Sequence, residues 1–164
     1  MTGRRVAILV AVAVVAGIAV AALGLATRGS SKPARVLQID EVNGRVGRVV
    51  LDETQQNVIG TLGQPRAVGY APGDALLYSH LTVELRAGRV ASIETDDPAA
   101  QTEKVVRIGD PLSAALASYS KAAKCQPNSP DKTAKHPHCV VKVAAGTLTI
   151  VGDPIRTMTL ARTK

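Results

Sequence analysis

The sequence predicts an α+β fold: an N-terminal transmembrane helix, then two helix-plus-antiparallel-strand repeats that share one sheet with both helices on one face. Three observations lead to this prediction. An apolar run of 21 residues lies near the start, two later segments align without a gap, and apolar and polar residues alternate after each of them. The predicted parts are a cytoplasmic basic head at 1–5, a transmembrane signal-anchor at 6–26 and a linker at 27–44. The first αβ repeat follows at 45–97 and the second at 98–164.

The run from Val6 to Ala26 contains no charged residue and no side-chain amide. A helix rises about 1.5 Å per residue, so a hydrocarbon core of about 30 Å is crossed by about 20 apolar residues. A cleaved signal peptide is the alternative, because Gly24-Leu25-Ala26 resembles a cleavage site. The apolar region of such peptides is usually only about 7–15 residues long, so the length favours an uncleaved signal-anchor.

Positive residues flank the apolar run on both sides, Arg4 and Arg5 before it and Arg28, Lys32 and Arg35 after it. The positive-inside rule therefore gives nearly balanced counts. We expect the N-terminus in the cytoplasm, because so short a basic head is a poor candidate for export. The predicted protein is thus a single-pass protein of the cell membrane with its C-terminal domain outside, anchored in the lipid bilayer; a secreted protein is the alternative.

The exported residues, 36–164, are nearly neutral. They carry 15 basic and 13 acidic side chains, because five of the 20 basic residues and none of the acidic residues precede them. A nucleic-acid-binding domain usually carries a strongly basic surface, so no nucleic-acid partner is expected. The chain has no Phe and no Trp, so its core has to be built from aliphatic residues.

The first repeat is predicted to start with a strand over 45–51 that leads into a helix. Asp52 or Thr54 is placed to cap this helix, because short polar side chains accept hydrogen bonds from its first free amides. Gly63 and Pro65 predict its end, since glycine favours C-terminal caps and proline cannot continue a helix. The apolar stripe consists of Val58, Ile59 and Leu62.

Short strands are predicted on both sides of this helix. Before the repeat, 36–39 is either an edge strand or part of the tether. After an irregular loop over 64–75, apolar residues in 81–85 alternate with polar ones, which is typical of a half-buried strand. A turn at Ala87-Gly88-Arg89 leads into its partner, and a polar break follows over 95–101. The predicted strands after the helix are 76–78, 81–85 and 90–93.

The second repeat is predicted to open with a strand over 105–108 and a second helix. Asp110 is placed to cap this helix, with Pro111 at its first position. Its apolar stripe has the spacing i, i+3, i+4, i+7 and consists of Leu112, Ala115, Leu116 and Tyr119. After a polar loop over 121–137, three strands are predicted at 139–143, 148–151 and 155–160.

An internal repeat underlies the predicted architecture. Residues 51–63 align with 108–120, so that Ile59 meets Leu116 and Leu62 meets Tyr119, and 81–85 aligns with 148–152. One helix with its strands cannot bury its apolar face alone, so two such units are expected to share a sheet. The other face of that sheet would then be free for a partner.

These residues resemble a known class of domain. Val-x-Arg-Ile-Gly-Asp-Pro-Leu at 105–112, a short helix, a cysteine-closed loop and a three-stranded meander resemble the tandem αβ repeats of β-lactamase-inhibitor-protein-like domains. Small envelope lipoproteins of the SmpA/OmlA type share one such unit. The resemblance covers about residues 45–160 and implies an exported, non-enzymatic protein that acts by binding other proteins. No inhibitory residue of the class is transferred, since this chain has almost no aromatic residues.

Cys125 and Cys139 are the only cysteines in the sequence. In an exported domain an even number of cysteines predicts a disulfide, and closing a loop of about 15 residues contributes about 3 kcal/mol. The alternative is a zinc site of Cys125, His136, His138 and Cys139, because thiolate and imidazole suit that metal. Three ligands within four positions do not match the usual spacings, so we predict the disulfide and expect no metal and no cofactor.

The sequence carries no motif of a common catalytic class, such as Gly-x-Ser-x-Gly, His-Glu-x-x-His or a Walker-type loop. Asp96-Asp97 is more typical of a charged turn than of a cation site, and His80 is typical of a residue at the start of a strand. We therefore predict no enzyme and no catalytic residue. The predicted function is that of a membrane-anchored, exported binding or scaffold protein of the bacterial cell envelope, with an unidentified envelope protein as partner. A cleaved, secreted inhibitor or ligand-binding module is the alternative.

Overall fold

The structure is a computed structural model, and it describes residues 36–70, 74–126 and 136–163. The predicted transmembrane segment at 6–26 lies outside the described residues. Within those described ranges, no helix is long and apolar enough to cross a membrane. The same residues form twelve strands in two sheets, together with two helices of eight residues each.

The elements follow one another along the chain from a group of short strands to two longer antiparallel series. The strands are β1 (Leu37–Asp40), β2 (Arg45–Val46), β3 (Val49–Val50), β4 (Ala67–Tyr70), β5 (Asp74–Leu77), β6 (Leu81–Arg86), β7 (Arg89–Thr95), β8 (Ala100–Thr102), β9 (Ala123–Gln126), β10 (His138–Val143), β11 (Gly146–Gly152) and β12 (Ile155–Ala161). The helices are α1 (Gln55–Leu62), which lies between β3 and β4, and α2 (Leu112–Tyr119), which lies between β8 and β9.

The smaller sheet has the strand order β3-β2-β1-β8. Strand β1 pairs in parallel with β8, where Leu37 lies opposite Ala100, and antiparallel with β2, where Ile39 lies opposite Val46. Parallel neighbours need a long crossover connection. Here that connection contains β2, β3, α1 and the first half of the larger sheet, and the pairing of β8 with β1 brings its two ends together.

The larger sheet has eight antiparallel strands in the order β4-β5-β6-β7-β12-β11-β10-β9. Helix α1 is followed by β4 to β7, and helix α2 is followed by β9 to β12. The two series of strands meet in the middle of the sheet, where β7 pairs with β12 and Ile93 lies opposite Leu160.

One face of the larger sheet forms the main hydrophobic core. A row of apolar side chains crosses this face, because apolar and polar residues alternate along each strand. Its members are Leu76, Val83, Ile93, Leu160, Leu148 and Val141, all fully buried. Val58 of α1, Ala115 of α2 and Ile39 of the smaller sheet belong to the same core. The smaller sheet and both helices therefore contribute to the core that this face forms.

The predicted α+β fold class is wrong. The described part of the chain is mostly β structure, and it contains two sheets, of four and eight strands, where the prediction had only one. The two helices are short, and the core is filled largely by strand residues. The prediction failed because it treated β1 as an edge strand or part of the tether, β2 and β3 as one strand, and most of β8 as part of a polar break. These four segments instead pair with one another.

The local signals for α1 proved reliable. Its N-cap is Thr54, whose hydroxyl accepts the Asn57 amide hydrogen bond at 3.3 Å, and its C-cap is Gly63 with φ of 84°. A glycine tolerates this left-handed conformation because it has no Cβ. Val58 of the predicted apolar stripe is buried.

The predicted cap of α2 is wrong. Asp110 does not cap this helix; its carboxylate accepts the Arg107 amide hydrogen bond at 2.8 Å, and Pro111 is the N-cap residue. The Leu112 amide instead donates to the carboxylate of Asp153, at 3.0 Å, from the turn between β11 and β12. The predicted stripe is also only partly right, because Leu116 is 47% exposed.

Several predicted strands and loops also differ. The segment 105–108 is no strand, because the chain reverses tightly at Val105, which has φ of 64°. The predicted loop 64–75 contains β4, the predicted break 95–101 runs into β8, and the predicted loop 121–137 contains β9. The predicted strand 45–51 is a hairpin of β2 and β3. In each case a non-local partner or a tight turn decided the local structure.

Candidate functional site: an open sheet face with an arginine-lined groove

The face of the larger sheet that points away from the main core is the candidate binding surface, and we call it the open face. Threonine is its commonest residue, and most of its side chains are partly or fully exposed. Two rows of directly opposed residues cross it: Glu84, Ser92, Ala161, Thr147 and Lys142 in one, and Thr82, Glu94, Thr159, Thr149 and Val140 in the other.

Two hydrogen bonds fix acidic side chains on the open face. The Ser92 hydroxyl donates to the Glu84 carboxylate at 2.7 Å, and the Thr159 hydroxyl donates to the Glu94 carboxylate at 3.1 Å. Each pair joins neighbouring strands of the sheet. The first of them lies at the edge of a groove.

The groove forms where β12 stops pairing with β7. The Arg162 amide still donates to the Ala91 carbonyl at 3.1 Å, but beyond this point another segment lies alongside β7. There the Asp52 amide donates to the Val90 carbonyl at 2.8 Å, and the Val90 amide donates to the Glu53 carbonyl at 2.9 Å. The change of neighbour leaves a groove of about 560 Å³.

Three arginines line this groove together with two acidic residues. Arg86 and Arg89 are directly opposed across the β6–β7 hairpin, and Arg162 follows β12. The Arg162 guanidinium pairs with the Asp52 carboxylate at 2.7 Å, and the Arg89 guanidinium donates to the Asp52 carbonyl at 2.8 Å. The lining thus combines charged groups of both signs with a cationic excess.

The predicted disulfide is confirmed, because Cys125 and Cys139 are bonded to each other. They lie directly opposite each other on β9 and β10, so the bond joins the outermost strand of the larger sheet to its neighbour. Both sulfurs are thereby unavailable as zinc ligands. The zinc alternative, which also needed His136 and His138, is not supported.

The other candidate residues named from the sequence, His80, Asp96 and Asp97, do not form a site together. The Asp96 carboxylate lies 2.9 Å from a ring nitrogen of His80, and both side chains are exposed. Asp97 accepts the Ala99 amide hydrogen bond at 2.8 Å, as expected of a turn. Among the described residues, no group of three or more histidine, cysteine or acidic side chains is arranged to hold a metal ion.

A buried polar cluster lies beside α2, away from the groove. Glu41 is only 6% exposed and accepts a hydrogen bond from the Tyr119 hydroxyl. The Glu41 amide donates to the Glu103 carboxylate at 3.1 Å, and the Lys104 ammonium lies 4.8 Å from the centre of the Tyr119 ring. Burial raises the pKa of Glu41, and burial together with the hydrogen bond to Glu41 raises the pKa of Tyr119.

This cluster predicts that stability falls as the pH rises from acidic to neutral. The pKa of Glu41 is higher in the folded protein than in the unfolded chain, where it is about 4.5. The contribution of Glu41 to stability is therefore complete at a pH below the unfolded pKa, and it is lost as the pH rises through the folded pKa. Replacement by Glu41→Gln keeps an acceptor for Tyr119 and removes the buried charge. We expect it to raise the free energy of unfolding at pH 7 by about 1 kcal/mol, measured by urea denaturation from pH 4 to 8.

Two other carboxyl groups also affect how stability depends on pH. Burial also raises the pKa of Glu53, one of whose oxygens is buried without a hydrogen-bond partner in the described chain, so some slope persists in the variant. Hydrogen bonds from Asn43 lower the pKa of Asp40, whose contribution is therefore lost as the pH falls below about 4. The exposed Glu94→Gln serves as the control, and an equal change in both variants would refute the role of Glu41.

The groove is not predicted by the sequence. Arg89 lies in a predicted turn, and Arg86 and Arg162 lie just beyond the predicted strands. A like-charged pair that flanks a two-residue turn was the one available signal. No protein family model matches this chain, and no curated protein or solved structure matches it either.

Proposed function

We propose that this chain is a membrane-anchored, exported binding or scaffold protein of the bacterial cell envelope, and that it has no enzymatic role. The open face of the larger sheet is its binding surface. The observation that carries the proposal is the broad, partly exposed face of eight antiparallel strands, backed by a continuous core.

The size and composition of the open face support this role. Strands lie about 4.8 Å apart and residues rise about 3.4 Å along a strand, so the face measures roughly 34 by 20 Å. Its area is therefore roughly 700 Å². In a standard protein–protein interface each partner buries about 800 Å², which is close to this area. Short threonine side chains at Thr149 and Thr159 keep the middle of the face polar and free of large side chains. A polar face of this size suits a folded protein partner.

The Cys125–Cys139 disulfide supports the exported location, because such bonds persist mainly in oxidising compartments. The apolar run at 6–26 supports anchoring in the membrane, with a cleaved, secreted form as the alternative. The resemblance to β-lactamase-inhibitor-protein-like and SmpA/OmlA-type domains supports the same role, because those domains bind other proteins. The intact mass of the protein recovered from envelope fractions distinguishes the anchored form from the cleaved one.

Crosslinking in envelope fractions, followed by affinity capture and mass spectrometry, tests the proposal. We expect the wild-type protein to capture a specific protein, and the double variant Thr149→Arg with Thr159→Arg to reduce its yield at least about tenfold. Two bulky charges at the centre of an interface remove shape complementarity and leave unpaired charge.

The matched control is Thr61→Arg, which adds the same side chain at an exposed position of α1. Thermal unfolding curves establish that all variants are folded before capture. Recovery of the same proteins in equal yield from all variants, or no specific protein from the wild type, would count against the proposed function.

A further inference from the structure

The arginines of the groove are arranged in a way that is unfavourable for the isolated protein. Arg86 and Arg89 occupy directly opposed positions on β6 and β7, and both are exposed. Like charges at directly opposed positions of a sheet destabilise it. Arg162 adds a third guanidinium to the same groove. Such an arrangement is relieved by a negatively charged group.

The groove's own acidic residues satisfy only part of this positive charge. Asp52 engages two of the arginines, pairing through its carboxylate with Arg162 and accepting through its carbonyl from Arg89. The Glu84 carboxylate accepts a hydrogen bond from Ser92. Within the described part of the chain, the Arg86 guanidinium has neither an ion-pair nor a hydrogen-bond partner. One guanidinium of the groove is therefore free to bind a ligand.

The chemistry of the groove favours a carboxylate as that ligand. A guanidinium binds a carboxylate through two parallel hydrogen bonds, and this geometry adds specificity as well as strength. The groove's volume of about 560 Å³ lies within the usual range of about 300–1,000 Å³ for ligand pockets, so it admits a short peptide segment. Asp52 and Glu84 also line it, and their charges repel a phosphate dianion more strongly than a carboxylate.

We propose that the groove binds a carboxylate side chain on an acidic segment of the partner protein, with Arg86 as the residue that contacts it. This inference rests on the proposed function, because it names the chemistry of the partner at one end of the open face. Arg89 and Arg162, held by Asp52, supply the surrounding positive potential. Binding of the acidic segment relieves the repulsion between Arg86 and Arg89.

A capped peptide of alternating glutamate and glycine, labelled with a fluorophore, tests this inference. We expect it to bind the full chain purified in detergent, while the same peptide with glutamine in place of glutamate does not bind. Arg86→Gln should weaken binding by about fivefold or more, the scale of one charge-assisted hydrogen bond at a partly exposed site. Arg86→Lys keeps the charge without the planar fork and should recover only part of the affinity.

The matched control is Arg66→Gln, which removes an exposed arginine just before β4. It should leave peptide binding unchanged. Equal binding of the glutamine peptide, an effect of Arg66→Gln as large as that of Arg86→Gln, or absence of peptide binding would each overturn the inference. So would displacement of the peptide by inorganic phosphate at a lower concentration than acetate. The assay contains no envelope protein, so failure of the groove and failure of the proposed function appear in different experiments.

Discussion

Replacing both Cys125 and Cys139 by alanine should lower the free energy of unfolding by about 3 kcal/mol, because the unfolded chain then regains the freedom that the closed loop removes. The two cysteines are 14 positions apart in sequence and directly opposed on β9 and β10. Strand β9 is the outermost strand of its half, and among the described residues β10 is its only neighbour in the sheet. The substitution therefore removes the covalent link that holds this edge strand in register.

Denaturant unfolding with and without reductant measures the effect. The wild-type protein in reductant should approach the stability of the double alanine variant, and the variant itself should not respond to reductant. Alkylation of the unreduced wild-type protein should fail at both positions. An unfolding midpoint that is the same for wild type and variant would show that the bond contributes nothing to stability.

Gly146→Ala should destabilise the domain by about 3 kcal/mol or more, because the new methyl group has no room. Gly146 has φ of 153°, and a Cβ there would collide with the Ala161 carbonyl oxygen and lie 3.1 Å from both the Ala161 carbonyl carbon and the Arg162 Cα. These neighbours are backbone atoms at and just after the end of β12, which cannot move without disturbing the pairing of that strand.

The same substitution should also weaken binding in the groove, because Ala161 and Arg162 are part of its lining. Chemical denaturation measures the loss of stability, and the fluorescent acidic peptide reports on the groove. The control is Gly60→Ala, for which the opposite change in stability is expected. Gly60 lies in α1, and no atom lies near the Cβ that alanine would add. This substitution should stabilise the helix by about 0.5–1 kcal/mol. A stable Gly146→Ala variant with unaltered peptide binding would contradict the close approach of β11 to the end of β12.

Helix α1 and the hairpins could be predicted because their signals are local. Thr54, Val58 and Gly63 lie within ten residues of one another and together specify where α1 begins and which side is buried. Helix α2 differs, because the carboxylate that caps its first amide belongs to Asp153, 41 positions further along the chain. A sequence reading that looks for caps near the helix selects Asp110, which serves a neighbouring turn instead.

The second sheet and the polar cluster depend on contacts between distant segments. The parallel pairing of Leu37 with Ala100 has no signature in either short segment. Glu41 and Tyr119 are 78 positions apart, and their hydrogen bond joins the residue that follows β1 to the last residue of α2. The groove has the same origin, since register across β6, β7 and β12 brings its arginines together. Periodicity reports which face of a segment is apolar, but it does not report which segments become neighbours.

The pairing of β7 with β12 has a consequence for how the chain folds. Neighbouring hairpins such as β6–β7 and β11–β12 close short loops, whereas the contact between Ile93 and Leu160 encloses β8, α2 and β9 to β11. Chain entropy opposes the closure of long loops, and folding slows as native contacts become less local. We therefore expect the local hairpins to form earlier in folding than the pairing of β7 with β12 at the centre of the sheet.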